Sequence, residues 1–540
     1  MRRLATWHRL ISVLCAAAAW ASVGFAHADT ARPPPVVQAN GETLVGTFDA
    51  ERPQVASFKG IPFAAPPVGD LRWREPRSHV PRPGRQDASA FAAGCHQDSY
   101  NIDWYRRVGR AFGASESVFV NPRFDEDCLY LNVWTPWLTR DAKRPVMVWI
   151  YGGANQGGWS FEPNYHGARL AARGDVVVVT LAYRVGVFGF FGHPELRGTT
   201  APANFGLLDQ AAALRWVRDN IAQFGGNPDN VTVFGESAGG SNIGYLVTLP
   251  TARDLFRRAI SQSGGFQLLD RGTLADAEQA GRSLSAALPG QPGIEALRRL
   301  PAPLVWETAR RALPSQDYSP VVDGVHVLET PAVAYARSGI RHDLLLGSNE
   351  DEWYMYFDAD PDGLRKDLAT LPADAHAALT ARAAKEHDVR SGRDKAFTFL
   401  NMVCPAYLMA ASVHAQGHKA FLYRFTRVRP GPGGVALRSY HGAEIPYVFD
   451  THDTWLTRDA TDDALTQRMQ EAWTRFAWYG DPAGPAENDS HWPAFDPARP
   501  RVMELGDRSG PRSAPDHALC VQWAGALYPG WGPPAHADGH

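Results

Sequence analysis

The most prominent candidate for a catalytic nucleophile in the chain is Ser237. It lies between two glycines in the pentapeptide Gly235-Glu236-Ser237-Ala238-Gly239. A strand-like run, VTVF at 231–234, precedes it, and small residues that can begin a helix follow it. The turn between such a strand and helix is sharp, and glycine lacks the Cβ atom that would clash there. The pattern predicts a nucleophilic Ser237 at the carboxyl end of a sheet, beside a helix N-terminus that favours a developing oxyanion.

A second group of small residues could stabilise that oxyanion. The segment WIYGGA at 149–154 continues a strand-like run into a glycine turn. Backbone N–H groups in such a turn can face the oxygen of a tetrahedral intermediate, and losing one donor costs about 3 kcal/mol of transition-state stabilisation. We therefore expect the N–H groups of Gly153, Ala154 and Ala238 to form an oxyanion hole.

A serine hydroxyl is a weak nucleophile near neutral pH, so it needs a histidine base that a carboxylate orients. In α/β-hydrolases these groups follow the chain order serine, acid, histidine. Glu350, Asp351 and Glu352 follow a strand-like run at 344–346, and each is a candidate for the acid. His441 follows the loop after a later run, 420–425, and is the predicted base. The weaker candidates lie at a strand start or in helical sequence: His342, His387, His414 and His418.

Apolar runs that alternate with helical patterns indicate the architecture that must position these residues. Strands are predicted at 146–150, 176–181, 231–234, 259–261, 344–346 and 420–423. Continuous apolar strands separated by helices predict an α/β fold, with a large, mostly parallel central sheet covered by helices on both faces. The Ala- and Arg-rich segments 265–340 and 360–400 are predicted helical cap insertions. The net charge of −3 gives no basic excess that would favour nucleic acid.

The N-terminus has the pattern of an export signal. Arg2, Arg3 and Arg9 precede or open an apolar run that extends to position 26, and Ala-His-Ala at 26–28 is an A-x-A cleavage site. We expect a signal peptide, 1–28, and one hydrolase domain, 29–540, exported to the periplasm or secreted without a membrane anchor. The sequence leaves the oligomeric state open.

Of the five cysteines, Cys15 lies in this signal. The even number that remains predicts two disulfides in an exported chain, and three pairings are possible. Neighbours along the chain favour Cys95–Cys128 and Cys404–Cys520. No CxxC, P-loop, GxGxxG or HExxH motif occurs, so we expect no metal and no cofactor.

Several stretches then resemble the type-B carboxylesterases, the family that includes cholinesterases and bacterial para-nitrobenzyl esterases. The resemblance runs from about Phe58 to Pro529. Its motifs occur in the family's order: FKGIPFAAPPVGDLRWREP (58–76), EDCLYLNVW (126–134), WIYGG (149–153), LAYRVGVFGF (181–190), NFGLLDQAAALRWVRDNIAQFGGNPDNVTVFGESAGG (204–240), NEDEW (349–353) and HGAEIPYVF (441–449).

The resemblance implies an α/β-hydrolase fold and a serine ester hydrolase that works through an acyl-enzyme. It assigns a catalytic triad to Ser237, Glu352 and His441, and an oxyanion hole to Gly153, Ala154 and Ala238. It implies the same two disulfides, Cys95–Cys128 and Cys404–Cys520. Two departures stand out. In the oxyanion loop, Ala154 and Asn155 replace the family's usual glycine and aromatic residue. After the triad acid, Trp353 replaces the glycine that is often found there, so Asp351 remains a second candidate for the acid.

The resemblance also places the loop between Cys95 and Cys128 over the active-site gorge. The residues of this loop that we expect to contact substrate are Trp104, Tyr105, Arg106, Arg107 and Arg110, and Asn155 and Glu236 are further candidates. Guanidinium groups bind carboxylates in a bidentate manner, so the arginines favour an ester of a carboxylate-bearing acid. The alternative is that they are a solvated surface.

The chain is also similar to bacterial fumonisin esterases, which release tricarballylic acid from the mycotoxin fumonisin and so detoxify it. The competing hypotheses are a general para-nitrobenzyl-type carboxylesterase or lipase acting on neutral esters, an amidase or thioesterase, and a non-catalytic binding module on the same fold. The module is the weakest alternative, because Ser237, Glu352 and His441 are all present. Choline esters are rejected, because SVFVN at 117–121 lacks the tryptophan that binds the cation in cholinesterases.

Overall fold

The valine-rich apolar runs of the chain form the centre of one eleven-stranded sheet in a computed structural model of the protein. The structure describes residues 32–269, 272–337, 340–485, 491–514, 516–528 and 530–532. From Pro35 onward these residues belong to a unit that spans Pro35–His540. The predicted signal peptide, 1–28, and Cys15 lie outside the described residues.

The strands agree with the predicted apolar runs and extend them by one to five residues at several ends. Their bounds are β1 Val36–Ala39, β2 Glu42–Val45, β3 Thr47–Phe48, β4 Val55–Pro62, β5 Arg85–Asp87, β6 Gly94–Cys95, β7 Phe124–Asp125, β8 Tyr130–Pro136, β9 Arg144–Ile150, β10 Val177–Leu181, β11 Gly226–Glu236, β12 Arg258–Gln262, β13 Asp343–Asn349, β14 Ala420–Phe425, β15 Arg501–Leu505 and β16 Gly510–Ser513. Every residue of β9, β10 and β12 is buried, as expected for strands covered on both faces.

Helices follow most of the central strands. Their bounds are α1 Tyr100–Ala111, α2 Ala168–Gly174, α3 Gly186–Gly189, α4 Phe205–Asn220, α5 Ala238–Leu246, α6 Leu274–Ala286, α7 Ile294–Arg299, α8 Ala302–Ala312, α9 Pro331–Arg337, α10 Pro361–Leu368, α11 Ala373–Ala383, α12 Val389–Thr398, α13 Cys404–Ala415, α14 Pro432–Leu437, α15 Ile445–Phe449, α16 Ala460–Tyr479 and α17 His517–Leu527. A π-helical stretch, Phe399–Val403, joins α12 to α13. Helices α6–α9 and α10–α12 form the predicted insertions.

The strand order of the large sheet is β16-β15-β14-β13-β12-β11-β9-β10-β8-β4-β3. Pairing is parallel from β10 through β9 and β11 to β15, and antiparallel at both ends of the sheet. The α/β prediction with a mostly parallel sheet is therefore confirmed. Because the parallel strands end at one edge, the loops after β9, β11, β12, β13 and β14 meet there.

Two disulfides tie peripheral segments to this body. Cys95 pairs with Cys128 across 33 residues, and Cys404 pairs with Cys520 across 116 residues, as the sequence predicts. Closing loops of these lengths stabilises the fold by roughly 4 to 5 kcal/mol each in the chain-entropy treatment. The helical stretch Val389–Ala415 is long and apolar enough to cross a membrane, but 83% of its apolar window is buried inside the protein, as in a core helix.

Candidate active site

Ser237 lies at the turn between β11 and α5 and adopts a backbone conformation that side chains rarely take. Its φ and ψ are 55° and −125°, in a region that L-residues avoid unless the surroundings enforce it. Gly239 makes the turn possible, because a Cβ there would lie 2.1 Å from the carbonyl oxygen of Ile150. The strained turn places Ser237 above the sheet edge at the N-terminus of α5, as predicted.

The imidazole of His441 contacts the carboxylate of Glu352, and both lie at the same sheet edge as Ser237. Nδ1 of His441 is 2.5 Å from Oε2 of Glu352, whose side chain is fully buried. The second oxygen of Glu352 accepts hydrogen bonds from the hydroxyl of Ser263 at 2.6 Å and from the N–H of Asn349 at 2.7 Å. These bonds keep Glu352 aimed at Nδ1, which leaves Nε2 of His441 to face the cavity.

The other two candidate acids face away from His441. Asp351 accepts a hydrogen bond from Nζ of Lys395 at 2.8 Å and lies 3.6 Å from the guanidinium of Arg438. Glu350 forms ion pairs with Lys395 and Arg424. Of the three consecutive carboxylates, Glu352 is therefore the one in contact with the imidazole.

A second carboxylate approaches the imidazole from the cavity side. Oε1 of Glu236 lies 3.2 Å from Nε2 of His441, and Glu236 is 5% exposed. Burial raises the pKa of Glu236 to about 8, although His441 opposes that rise. Burial lowers the pKa of His441, but the charges of Glu236 and Glu352 outweigh it and raise the pKa to about 9. The two groups therefore titrate as a coupled pair.

The predicted oxyanion loop follows β9 and is strongly curved. The φ angles of Gly153, Ala154 and Asn155 are 110°, 54° and 53°. Among the described residues, the N–H groups of Gly153 and Ala154 have no hydrogen-bond acceptor, and the N–H of Ala238 is a free first-turn donor of α5. The three predicted donors thus border one space beside Ser237.

Asn155, one of the predicted substrate contacts, joins this loop to α5. Its Oδ1 accepts a hydrogen bond from Nδ2 of Asn242 at 2.9 Å, and its own Nδ2 donates back to Asn242 at 3.3 Å. Asn155 is 3% exposed, so most of its surface contacts protein. The polar side chain in this position therefore has a structural partner, Asn242, on α5.

One cavity of about 930 Å³ contains these groups. Its walls include Ser237, His441 and the three predicted N–H donors, together with aromatic side chains. The predicted contacts that line the cavity are Trp104, Tyr105, Asn155 and Glu236, and the other aromatic residues that line it are Tyr100, Tyr165, Phe190, Phe191, Phe266, Trp353, Tyr356, Phe357 and Phe397. The structure thus places nucleophile, base and oxyanion donors around a largely apolar space that can hold a small ester.

The three predicted arginines lie on α1 and outside the walls of this cavity. Arg106 pairs with Asp103, and Arg110 pairs with Glu116. Arg107 has no ion-pair partner among the described residues, and its guanidinium lies 5.6 Å from the ring centre of Tyr356, which lines the cavity. Of the three, Arg107 is therefore the cation next to the cavity mouth.

Sequence reasoning missed four acids and one hydroxyl around the site. Ser263 follows β12 directly, so its place at the carboxyl end of a strand was the available signal. The buried acids Glu162 and Glu444 had no such signal. Glu162 lines the cavity and accepts a hydrogen bond from Asn101, and burial raises its pKa to about 7. Glu444 accepts hydrogen bonds from Gln262 and Asn349 behind the imidazole. The acidic side chains Asp276 and Asp317 also line the cavity, and no described lining residue is lysine or arginine.

A family model described as the carboxylesterase family matches residues 33–520. The chain belongs to the carboxylesterase family. It is 35% identical over 502 residues to fumonisin B1 esterase of Sphingopyxis macrogoltabida, an alignment that covers 87% of this chain and 86% of the relative. It is 36% identical over 463 residues to para-nitrobenzyl esterase of Bacillus subtilis (strain 168), covering 82% and 89%.

Solved structures agree with this assignment. The crystal structure of a Geobacillus stearothermophilus carboxylesterase superposes with a TM-score of 0.77 and 31% identity, covering 90% of this chain and 99% of the other. A para-nitrobenzyl esterase structure superposes with a TM-score of 0.76 and 31% identity, covering 92% and 99%. The predicted α/β-hydrolase fold and type-B carboxylesterase family are confirmed, and this carboxylesterase is a carboxylic ester hydrolase.

Proposed function

We propose that this carboxylesterase cleaves small-molecule esters in two steps through Ser237, His441 and Glu352. The contact between His441 and Glu352 carries the proposal, because it fixes the tautomer in which Nε2 can accept a proton. Nε2 takes the proton of Ser237 as the hydroxyl oxygen attacks the ester carbonyl, and Glu352 stabilises the imidazolium that forms. The N–H groups of Gly153, Ala154 and Ala238 stabilise the oxyanion.

Collapse of the tetrahedral intermediate breaks the bond to the alcohol, which leaves with the proton from Nε2. Water then attacks the acyl-enzyme, with Nε2 as the base, and the carboxylic acid departs as Ser237 regains its proton. Ser237, His441 and the three N–H donors border one cavity, which supports this sequence of steps. The aromatic cavity walls suit apolar parts of an ester substrate, which supports a carboxylesterase over a non-catalytic module.

The decisive test replaces the nucleophile. Ser237→Ala should lower kcat for p-nitrophenyl acetate by at least about 10³-fold, because the acyl-enzyme can no longer form. Ser241→Ala is a matched control one turn along α5, where the hydroxyl donates to the carbonyl of Gly264 instead. It should keep kcat within about 10-fold. Mass spectrometry should find an acyl adduct on the peptide with Ser237, and full activity of Ser237→Ala would refute the mechanism.

A narrower substrate class is favoured by Arg107. This cation is without an ion-pair partner among the described residues and lies over Tyr356 at the cavity mouth, whereas the cavity walls carry carboxylates. An anionic acyl group would therefore keep its free carboxylates at the mouth, near Arg107, while its ester carbonyl reaches Ser237. The 35% identical relative is named for fumonisin B1, which makes tricarballylic esters of that kind the first substrates to assay.

Three single variants separate this preference from general binding. Arg107→Ala should raise KM for a tricarballylate monoester by about 10-fold and leave KM for p-nitrophenyl acetate within about 2-fold. Arg106→Ala and Arg110→Ala are controls, because acidic neighbours already neutralise those charges. Equal effects of Arg107→Ala on both substrates would refute the preference for anionic esters and favour a general carboxylesterase that acts on neutral esters.

We further propose export through a cleaved signal peptide. The A-x-A pattern at 26–28 and the two disulfides support it, since disulfides persist in oxidising compartments. Expression of the full chain in a Gram-negative host, with cell fractionation and N-terminal sequencing, should give a periplasmic or secreted protein that begins at Asp29. An uncleaved cytoplasmic product would contradict this.

A further inference from the structure

Trp353, directly after Glu352, covers one face of the His441 imidazole. The two rings are nearly parallel, with an interplanar angle of 15° and 5.9 Å between centroids, within the range of offset stacking. The family resemblance places glycine at this position in many members, so the indole is a feature of this chain. Trp353 also lines the cavity that contains Ser237.

Three further aromatic rings and one carboxylate hold this indole in place. Phe266 and Phe397 meet it edge-on at 5.5 and 5.3 Å, and Tyr356 lies 5.8 Å away. The main-chain N–H of Trp353 donates to Oδ1 of Asp394 at 2.7 Å. The indole is therefore fixed from both its ring and its backbone, and it presents a flat apolar wall next to His441.

The direction of proton transfer shows which part of the substrate meets this wall. Nδ1 of His441 is bound to Glu352, so Nε2 must deliver the proton to the oxygen of the leaving alcohol. The alcohol portion consequently lies on the His441 side of Ser237, whereas the ester carbonyl oxygen lies toward the loop with Gly153. A wall stacked on His441 borders the space for the alcohol.

We propose that Trp353 determines which alcohols this enzyme releases, by forming with Phe266 and Phe397 a flat subsite that accepts planar or slender apolar alcohols. This inference rests on the proposed roles of Ser237 and His441. The same stacking makes Trp353 a positioning residue for the imidazole, because a ring held on one face has fewer orientations available.

The experiment compares the full-length wild type with Trp353→Gly and Trp353→Phe, after titration of active sites with a slow p-nitrophenyl ester. Benzyl acetate and cyclohexyl acetate vary the alcohol, and p-nitrophenyl acetate and butanoate vary the acyl group. In Trp353→Gly the benzyl-to-cyclohexyl ratio of kcat/KM should fall by about 10-fold, while the butanoate-to-acetate ratio moves by less than about 2-fold. Trp353→Phe, which keeps a flat ring, should leave both ratios within about 3-fold of wild type.

A second readout separates specificity from general damage. The alcohol has left before water attacks, so alcohol selectivity appears in kcat/KM for acylation and is absent from the rate of deacylation. Deacylation, measured after the p-nitrophenol burst, no longer involves the alcohol. Any slowing of deacylation in Trp353→Gly should therefore reflect only the poorer orientation of His441. Acyl and alcohol ratios that shift equally, or an unchanged alcohol ratio, would overturn the proposal.

If Trp353→Gly does not give a cooperative thermal transition, Trp353→Leu replaces it. Leucine keeps apolar bulk but has no flat face, so its benzyl-to-cyclohexyl ratio should fall while that of Trp353→Phe does not. Equal ratios in these two variants would overturn the proposal. Failure of the triad itself would show separately, as turnover retained in Ser237→Ala.

Discussion

Nε2 of His441, the nitrogen proposed to take the proton of Ser237, lies 3.2 Å from Oε1 of Glu236. The imidazole is thus held between two carboxylates, because Nδ1 contacts Glu352. Negative charge on both sides favours the imidazolium, and the pKa of His441 is raised to about 9 although burial opposes the charge. Because the charge on Glu236 favours the imidazolium, the protonation state of Glu236 affects how much of His441 is available as free base.

Glu236→Gln should therefore move the acidic limb of the pH profile of kcat/KM to lower pH. Removing the carboxylate removes a favourable interaction with the imidazolium, so the pKa of His441 falls and the neutral base persists in more acidic solution. The measurement is kcat/KM for p-nitrophenyl acetate between pH 5 and about 10.

Glu162→Gln is the matched control for this shift. Glu162 is also a buried carboxylate that lines the cavity, but it contacts Asn101 rather than the imidazole. Its acidic limb should stay within about 0.3 pH units of wild type. An unchanged limb in Glu236→Gln would mean that Glu236 stays protonated throughout and does not raise the pKa of His441.

The acid of the triad is tested by isosteric amides at neighbouring positions. Glu352→Gln should lower kcat by about 10³- to 10⁴-fold, because an amide next to Nδ1 can select the wrong imidazole tautomer. Asp351→Asn should lower the melting temperature instead, with kcat within about 10-fold, since its partners are Lys395 and Arg438. A larger loss of kcat in Asp351→Asn than in Glu352→Gln would reverse the assignment.

Sequence patterns predicted the central sheet and the ends of its parallel strands well, because buried parallel strands are continuous apolar runs. The residues that depend on strand-end position, Ser237, Glu352 and His441, met at one edge for the same reason. The N-terminal strands β1–β4 were not predicted. They are short or contain charged residues, glycine or proline; β1 and β2 belong to a separate three-stranded sheet, and β3 and β4 pair antiparallel at the end of the large sheet.

The contacts made by long side chains could not be predicted. Three arginines on one loop indicated an anion site, but the structure pairs Arg106 with Asp103 of the same helix and Arg110 with Glu116, and it leaves Arg107 at the mouth. Sequence gives the charge of a side chain and not its partner. The contact between Glu236 and His441 could not be predicted for the same reason, because the GESAG pattern does not show where the side chain of its second residue points.

The hydrogen-bonded pair Asn155–Asn242 should matter for kcat more than for KM. It ties the oxyanion loop to α5, so either alanine variant lets the N–H of Ala154 drift from the oxyanion, which develops only in the transition state. We expect each single variant to lose about 10-fold in kcat with KM within about 2-fold. In a double-mutant cycle, the Asn155→Ala/Asn242→Ala enzyme should lose little more than either single variant. Fully additive losses would show that the pair does not act as a unit.

Asp462, which lies on α16, should make the free energy of unfolding depend on pH. Burial opposes its charge, but hydrogen bonds from Arg427 and from Tyr447 of α15 outweigh burial and lower the pKa of Asp462 to about 2. The pKa of Asp462 is lower in the folded protein than the value of about 3.9 in the unfolded chain. Its ionised form therefore stabilises the fold by about 2 kcal/mol above about pH 3.9, and this contribution disappears as the pH falls toward 2. Asp462→Asn should therefore reduce the free energy of unfolding in urea at pH 7 and much less at pH 3. Asp463→Asn, at an exposed neighbouring position, is the control, and a pH-independent difference for Asp462→Asn would rule out the electrostatic explanation.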